Sequence, residues 1–444
     1  MTQTLTIARL GARGDGIADT PAGPVYVPYA LPGEVVRVSL PAPDPATGRA
    51  ARSSMGRADA RAVPVAIETP SPDRRPPECA LFMRCGGCVT QHMSEAVYRA
   101  WKRDSVVRAL AQAGVDAGVE PLVDAHGAGR RRVTFHARRK HAPEGIDDAI
   151  GFMAARSHDL VPVSHCPVLD PGLARAPAVA LDLARLLLPK GKPLDIQLTA
   201  TVGGLDIDVR GHGPADEAAR RKLTEAAERL DLARLSLHGD LVVQRRTPGI
   251  FMGRALVAPP AGGFLQATAN GEETLARLVN EAIAQAPRRV RLAADLFAGC
   301  GPFALRLAET AEVHAVESAA PALAALDRAF RDTPGLRRIT TETRDLFRRP
   351  LLPLELNRYD AVVFDPPRAG AEALARELAK SRVPLVVAVS CDAGTFARDA
   401  GLLIQGGYLP QRITPVDQFR HSPHVETVAV FTRAEAAKPA RRKR

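Results

Sequence analysis

Apolar positions in the C-terminal part of the chain fall into short continuous runs that alternate with stretches of helical periodicity. This alternation is typical of βαβ units, in which parallel strands form a buried sheet and helices cover both of its faces. We therefore predict an α/β fold with a doubly wound sheet in this region. Its predicted strands are Val290–Leu296, Glu312–Val316, Arg338–Thr343, Ala361–Phe364 and Leu385–Val389.

The first 68 residues show a different pattern, in which short alternating runs are separated by glycine and proline. Evenly spaced short strands with such turns predict a small β-barrel of the OB type over residues 1–68. The arginines of this region suit an RNA-binding module, but they suit a structural cap equally well. The predicted strands are Leu5–Leu10, Val25–Pro28, Gly33–Leu40 and Ala62–Ile67.

The region between these two parts mixes strands and helices without a repeat, which predicts a central α+β domain. Residues 70–77 are rich in proline and predict a linker. We also predict a helix from about Ser94 to Ala113 and a hairpin over Leu194–Val209 that turns at Gly203 and Gly204.

The composition of the 444 residues excludes several classes of protein. Hydrophobic residues make up 46% and charged residues 25%, so disorder of the whole chain is excluded. No apolar run reaches the about 20 residues of a membrane helix, and the N-terminus lacks the order of a secretory signal, so we expect a cytoplasmic protein. The net charge of +11 indicates a polyanionic partner, nucleic acid first. A preference of the genome for arginine codons would produce the same excess, and the sequence does not predict an oligomeric state.

A glycine-rich turn follows the first predicted strand of the C-terminal sheet. Gly299 and Gly301 allow the backbone to approach a ligand closely, as in a dinucleotide-binding turn. Acidic residues follow successive strands, namely Asp295, Glu317 and Asp345. A carboxylate at the end of the first strand can meet an ammonium group, and the later ones can accept ribose hydroxyls or contact adenine. This pattern favours S-adenosylmethionine over a dinucleotide.

Two further strand ends carry residues suited to chemistry on a pyrimidine. Asp365 begins Asp-Pro-Pro-Arg, where Arg368 occupies the position of the aromatic residue that amino methyltransferases stack on a base. Cys391 ends the next strand, at the edge where open α/β sheets bind ligands. A thiolate that adds to carbon 6 of uracil makes carbon 5 nucleophilic, so we expect the site to lower the Cys391 pKa from about 8.5. Glu426, on the following predicted strand, is the candidate base for the carbon-5 proton.

Together these motifs resemble a family. They are similar to those of the bacterial RNA 5-methyluridine methyltransferases that carry an N-terminal TRAM domain and an iron–sulfur cluster, and among these to the enzymes of 23S rRNA. The resemblance extends over nearly the whole chain. The matching segments are Ala30-Leu-Pro-Gly-Glu34, Asp295-Leu-Phe-x-Gly-x-Gly, Asp365-Pro-Pro-Arg, Ser390-Cys-Asp and His424-Val-Glu.

The resemblance implies a role for each site residue. Cys391 is then the nucleophile and Glu426 the base. Two departures concern Pro302, where the family usually has asparagine, and Asp392-Ala393, where it usually has Asn-Pro after the nucleophile. The second departure raises the possibility of a changed loop. The implied cofactor-binding residues are Gln266, Asp295, Phe297, Gly299, Gly301, Glu317, Asp345 and Asp365.

Six cysteines are present in the chain, and three of them lie within ten residues. By the resemblance, Cys79, Cys85 and Cys88 together with Cys166 bind a structural [4Fe–4S] cluster. Four thiolates also suit zinc, so the residues alone leave both metals open. We interpret Cys300, inside the glycine-rich turn, as a small filler.

The predicted function is therefore methyl transfer from S-adenosylmethionine to carbon 5 of a uridine in RNA, with 23S rRNA first. The alternatives are the same chemistry on tRNA, and a catalytically silent RNA-binding or ribosome assembly factor. The predicted domains are a TRAM-like OB barrel over 1–68, an iron–sulfur segment and central α+β RNA-binding domain over 69–265, a methyltransferase domain over 266–434 and a basic tail over 435–444.

Overall fold

A computed structural model of the protein describes residues 2–40, 60–142, 145–188 and 192–433. The predicted basic tail and residues 41–59 of the predicted barrel lie outside the described residues. The chain divides into two compact units. The first comprises Met1–Ser105, Phe152–Val161 and Phe419–Pro423, and the second comprises Val106–Gly151, Pro162–Gln418 and His424–Arg444. The predicted domain limits stay predictions.

Two small sheets share one apolar core near the N-terminus. Their strand orders are β1-β5-β7 and β2-β3-β4-β6, and Ile7, Val27 and Val36 are fully buried between them. The predicted strand Leu5–Leu10 is interrupted, and β3 was missed because Gly16, together with Gly11 and Gly14 before it, resembles a turn. The strands are β1 (Thr2–Thr6), β2 (Arg9–Leu10), β3 (Gly16–Thr20), β4 (Gly23–Val27), β5 (Val35–Ser39), β6 (Ala60–Arg61) and β7 (Val63–Thr69).

The proline-rich segment over residues 70–77 is anchored to the N-terminal region that contains these two small sheets. The Arg74 guanidinium donates to both carboxylate oxygens of Glu34, at 2.6 Å and 2.8 Å. Because Glu34 is completely buried, its charge needs such a partner. The segment that composition predicts to be a linker therefore supplies a buried counter-charge.

The middle of the chain forms a seven-stranded sheet in the order β11-β10-β9-β12-β13-β14-β15. The predicted hairpin is confirmed as β12 and β13, and its turn consists of Val202 and Gly203 because Thr201 pairs with Gly204. The predicted helix is confirmed as α1. The elements are α1 (Glu95–Gln112), β8 (Val123–Asp124), β9 (Arg132–Ala142), β10 (Gly145–Met153), β11 (Leu160–Pro162), α2 (Ala176–Leu187), β12 (Leu194–Thr201), β13 (Gly204–Arg210), α3 (Glu217–Arg229), β14 (Leu232–Leu237) and β15 (Asp240–Gln244).

The C-terminal part of the chain alternates strands and helices, as predicted. A short hairpin, β16 and β17, precedes it. The elements are β16 (Ile250–Met252), β17 (Ala255–Val257), α4 (Ala269–Ala284), β18 (Leu292–Leu296), α5 (Ala304–Leu307), β19 (Glu312–Glu317), α6 (Ala320–Arg331), β20 (Ile339–Thr343), α7 (Pro353–Leu356), β21 (Ala361–Phe364), α8 (Glu372–Lys380), β22 (Leu385–Ser390), α9 (Ala393–Gln405), β23 (Tyr408–Asp417) and β24 (Glu426–Arg433).

These strands build an eight-stranded sheet in the order β20-β19-β18-β21-β22-β24-β23-β8. The five strands from β20 to β22 are parallel, whereas β24 is antiparallel to both of its neighbours. Apolar side chains from both faces pack under the helices. The doubly wound α/β prediction is confirmed. The strand order reverses between β18 and β21, and open sheets of this kind bind ligands at such a point.

No helix in the described part of the chain is long and apolar enough to cross a membrane.

A buried ion-pair network joins α4 to its neighbours. Glu272 on α4 accepts from Arg131 Nη2 at 2.6 Å and from Arg306 Nη1 at 3.1 Å. The side chains of all three residues are at most 7% exposed. Arg306 Nη2 also donates to Glu273 Oε2 at 2.7 Å, so two carboxylates balance the two buried guanidiniums, which would be strongly destabilising if unpaired.

We expect Glu272→Gln to lower the free energy of unfolding by about 3–5 kcal/mol, because the buried Arg131 loses its carboxylate partner and the buried Arg306 keeps only the exposed Glu273. The midpoint of urea denaturation measures this loss. The matched control is Glu273→Gln, because Glu273 also contacts Arg306 but its side chain is 65% exposed. A surface pair contributes at most about 1 kcal/mol. Equal losses in the two variants would contradict the assignment.

Candidate active site

Asp295 lies at the carboxyl end of β18, beneath the start of α5. Its Oδ2 accepts from the backbone N–H of Ala304 at 2.8 Å, whereas its Oδ1 has no hydrogen-bond partner among the described residues. The side chain is fully buried. Burial raises its pKa to about 8, and the nearby charges of Asp365 and Glu317 act in the same direction. A buried carboxylate with a free oxygen suits a cationic group of a ligand.

The glycine-rich turn after β18 requires glycine at two positions. Gly299 and Gly301 have φ angles of +54° and +88°, in the left-handed region. A Cβ on Gly301 would lie 2.4 Å from Leu326 Cδ1 of α6, so α6 packs directly against the turn. The N–H of Gly299 donates to Glu317 Oε2 at 3.1 Å, which links the turn to the end of β19.

Two aromatic rings lie beside these acidic strand ends. The ring of Phe297 packs against that of Phe347 with centroids 5.3 Å apart. Asp345 Oδ1 accepts from the N–H of Phe347 at 3.0 Å and so holds the loop that carries this ring. Sequence reasoning predicted Phe297 and Asp345 but missed Phe347, although an aromatic residue two positions after the acidic one was a usable signal.

A chain of side-chain hydrogen bonds connects three strand ends. Gln266 Nε2 donates to Asp365 Oδ2 at 2.8 Å, and Gln418 Nε2 donates to Gln266 Oε1 at 2.7 Å. Gln418 Nε2 also donates to Glu426 Oε1 at 3.0 Å. The predicted residues Gln266, Asp365 and Glu426 are therefore joined in one network. Gln418, which is completely buried at its centre, was missed.

Cys391 and Glu426 are brought together by the pairing of β22 with β24. Ser390 pairs with Thr427, and Cys391 and Glu426 are the next residues along these two antiparallel strands. Residues at neighbouring registers of paired strands lie within side-chain reach. The structure thus joins the predicted nucleophile and the predicted base at one edge of the sheet.

The predicted lowering of the Cys391 pKa is wrong for the protein alone. Burial, together with the charges of Glu426 and Asp365, raises the pKa of this thiol to about 12, although the charge of Arg368 acts in the opposite direction. Two carboxylates disfavour a third negative charge nearby. Arg368 also contacts the His424 ring, with 3.1 Å between Nη2 and Nε2.

The departure from the family motif after Cys391 leaves an ordered helix start. Asp392 is the N-cap of α9, and its carboxylate accepts from the N–H groups of Gly394 and Thr395 at 3.0 Å and 2.9 Å. Aspartate is one of the best N-cap residues because it satisfies the free donors of the first turn. The Asp-Ala sequence therefore supports the local backbone by capping.

Comparison with known proteins identifies the family, although no model of a known protein family matches. The chain is 46% identical to a protein of Brucella suis named an uncharacterized RNA methyltransferase, over 97% of this chain and 98% of that protein. The chain belongs to the RNA methyltransferase family. It is also 36% identical to the 23S rRNA (uracil(1939)-C(5))-methyltransferase RlmD of Chromohalobacter salexigens, over 97% of this chain and 89% of that one.

A solved structure supports the fold of this RNA methyltransferase over its whole length. It is the tRNA (uracil-54, C5)-methyltransferase of Pyrococcus abyssi, in complex with S-adenosyl-L-homocysteine. The TM-score is 0.70, and the match covers 97% of this chain and 99% of that one at 20% sequence identity. At this identity the match concerns the fold alone.

The cysteines of this RNA methyltransferase that the resemblance implies as metal ligands are all partly exposed. Within the segment before α1, Cys85 Sγ accepts from the N–H of Gly87 at 3.4 Å. Burial raises the Cys85 pKa, the Gly87 hydrogen bond lowers it, and the neighbouring Cys79 adds a smaller increase. Among the described residues, no group of three or more His, Cys, Asp or Glu side chains is arranged to hold a metal ion. Cys300 is buried, in agreement with its interpretation as a filler.

We expect the stability of the RNA methyltransferase to fall with rising pH between about 4 and 8 because of Asp295. The folded protein keeps this proton up to a pKa of about 8, whereas the unfolded chain releases it near 3.8. One such proton corresponds to about 1.4 kcal/mol per pH unit. Asp295→Asn removes this contribution, so its melting temperature at pH 8 should exceed that of the wild type.

The measurement is a series of melting curves from pH 5.5 to 9 without ligand. The matched control is Asp240→Asn, whose carboxyl lies on the surface and whose pH profile should follow the wild type. A profile of Asp295→Asn parallel to that of the wild type would mean that Asp295 is ionised in the folded protein.

Proposed function

We propose that this protein transfers a methyl group from S-adenosylmethionine to carbon 5 of a uridine in RNA, and that the RNA is 23S rRNA. The observation that carries the proposal is the convergence of Cys391 and Glu426 at the end of paired strands, beside the hydrogen-bonded Gln266 and Asp365. The relative named RlmD, at 36% identity over nearly the whole chain, supports both the reaction and the RNA.

The proposed reaction uses a temporary bond between Cys391 and the base. The Cys391 thiol first loses its proton to solvent; the thiolate then adds to carbon 6 of uracil, and the electron pair moves to carbon 5 and oxygen 4 as an enolate. Carbon 5 then bonds to the methyl carbon, whose bond to the cofactor sulfur breaks. The uridine must leave its stack to reach Sγ, because carbon 6 is otherwise covered by its neighbours.

Glu426 is proposed to complete the reaction by removing the carbon-5 proton. The electron pair of the C–H bond then forms the C5–C6 double bond, and the Cys391 thiolate leaves. Gln418 holds the Glu426 carboxylate at 3.0 Å and thereby orients it. A positioned general base typically contributes 10²–10⁴-fold to a rate, and we expect a contribution of this size from Glu426.

The residues at the end of β18 fit S-adenosylmethionine. Asp295 has an oxygen without a partner among the described residues, which suits the ammonium of the methionine part. Glu317 is proposed to accept the ribose hydroxyls, with its Oε1 already held by the N–H groups of Ser318 and Ala319 at 2.7 Å and 2.9 Å. The rings of Phe297 and Phe347 provide apolar surface for adenine.

The test is incubation with tritium-labelled S-adenosylmethionine and transcripts of 23S rRNA or tRNA in which 5-fluorouridine replaces uridine. Fluorine cannot leave as a proton, so the wild type should form a covalent RNA–protein adduct that resists denaturing gel electrophoresis, with 23S rRNA only. Cys391→Ala should form none. Glu426→Gln should accumulate an adduct even with unmodified RNA, because the proton is not removed.

The matched control is Cys300→Ala, which changes a buried cysteine in the glycine-rich turn after β18 and should keep adduct formation. An adduct with tRNA alone would transfer the proposal to tRNA. Absence of any adduct, together with normal RNA binding, would contradict methyl transfer and favour a catalytically silent RNA-binding factor.

We further propose that residues 1–68 act as a TRAM-like RNA-binding module and that Cys79, Cys85, Cys88 and Cys166 bind a [4Fe–4S] cluster. The support for the cluster is the donor set, because four thiolates are its usual ligands, and the N–H···S contact at Cys85, which is of the kind that tunes cluster sulfurs. The proposed role of the cluster is structural, and no step of the reaction involves it.

Anaerobically purified protein should contain about four iron and four sulfide per chain and absorb broadly in the visible range. Cys88→Ser should lose this absorbance. The matched control Cys300→Ser should keep it. A colourless wild type with one bound zinc would contradict the cluster.

A further inference from the structure

A groove distinct from the candidate active site lies along α6 in the second compact unit. Its volume is about 810 Å³, within the range of ligand-binding clefts. One wall is a face of α6 on which the lining residues recur at helical spacing, and the other consists of the hairpin strand β17, the residues after it and parts of β14 and β15. The α6 lining includes Pro321, Ala324, Ala325, Arg328 and Ala329.

The walls of the groove combine apolar side chains with polar ones in about equal measure. The wall formed by α6 carries mainly small alanine side chains, and Leu256, Pro259 and Pro260 lie on the opposite wall. Leu256 is 44% exposed and pairs across the hairpin with Phe251, which is 58% exposed. Directly paired residues lie on the same face of a hairpin, so an exposed aromatic ring continues the apolar wall. Such surfaces accept the faces of nucleobases.

The rim of the groove is positively charged. Arg234 at its inner end is neutralised by Asp206, with two contacts of 2.7 Å. Arg328 is exposed and forms no ion pair with any carboxylate in the described parts of the chain. Arg254 is 57% exposed, and its contact with Glu309 is 3.7 Å long. Asp332 is the one acidic residue of the lining. Arg254 Nη2 also donates to the carbonyl of Pro334 at 3.4 Å. Arg328 is therefore available to an anion, and Arg254 is held only by long contacts at the surface, which an anion can displace.

We propose that this groove binds a single-stranded segment of the RNA substrate outside the target nucleotide. In this arrangement Arg254 and Arg328 contact backbone phosphates, and bases pack against Leu256 and Phe251. The inference rests on the proposed RNA substrate and adds a second contact region to it. The combination of arginines with an apolar floor favours RNA over a protein segment, because a phosphate chain supplies the matching charge.

The length of the groove suits a short strand. α6 has 12 residues and is therefore about 18 Å long, which corresponds to about five stacked nucleotides at 3.4 Å each. The groove begins at Pro321, four residues after Glu317 at the ligand-binding edge of the sheet. The groove therefore begins next to the strand end that carries Glu317.

The experiment measures binding of the full chain to a fluorescein-labelled, 12-nucleotide single-stranded RNA of mixed sequence, by anisotropy from 50 to 300 mM KCl. The double variant Arg254→Gln, Arg328→Gln should bind roughly five- to tenfold more weakly near 150 mM. Its slope of log affinity against log salt should be smaller by about 1.4, since two phosphate contacts are lost. Leu256→Glu should weaken binding as well.

The matched control is Arg331→Gln, Arg337→Gln, which removes the same charge from exposed arginines that do not line the groove. The proposal requires the control to keep the wild-type slope. Equal slopes for wild type and the groove variant, or equal losses in groove variant and control, would overturn it, and the first result would leave the groove to a protein partner. Methyl transfer by the wild type is scored separately, so failure of the proposed reaction is distinguishable from failure of the groove.

Discussion

The buried hydrogen-bond chain from Asp365 through Gln266 and Gln418 to Glu426 is the constraint on which the site depends. Gln418 Oε1 accepts from the backbone N–H of Ala267 at 2.9 Å, which fixes the direction of its amide. Its NH₂ group must then face Gln266 and Glu426, and Gln266 in turn must donate to Asp365. One backbone contact therefore determines the orientation of every polar group in the chain.

The same edge of the sheet carries acidic groups in an environment that disfavours their charge. Burial raises the pKa values of Asp295 and Asp365. Burial and two nearby carboxylates raise the pKa of the Cys391 thiol. The charge of Arg368 and a backbone hydrogen bond oppose this trend at Cys391. Such a site costs stability in the protein alone, and it favours cationic and hydrogen-bonding ligands that relieve the repulsion.

Helix α6 contacts the glycine-rich turn after β18 and also lines the groove described above. Leu326 of α6 occupies the space that a side chain on Gly301 would need, so the packing of the helix requires glycine at this position of the turn. The neighbouring Ala325 and Arg328 face the groove. A single amphipathic helix thus has an inner face that shapes the turn and an outer face that presents charge and small side chains to solvent.

The sequence by itself determined the α/β fold class of the C-terminal part and which residues follow its strands. Apolar periodicity and the glycine-rich turn are local signals, so both can be recognised without the tertiary structure. Asp295 and Cys391 could be predicted as strand-end residues on this basis, whereas the role predicted for Glu426 depended on the resemblance to a known family. The role of Gln418 could not, since it lies 152 residues from Gln266 and no local pattern marks it. Only the tertiary structure decided the direction of the Cys391 pKa shift. It also decided that Glu34 anchors the proline-rich segment. Both depend on which charged groups the fold brings together in a buried, weakly solvated space.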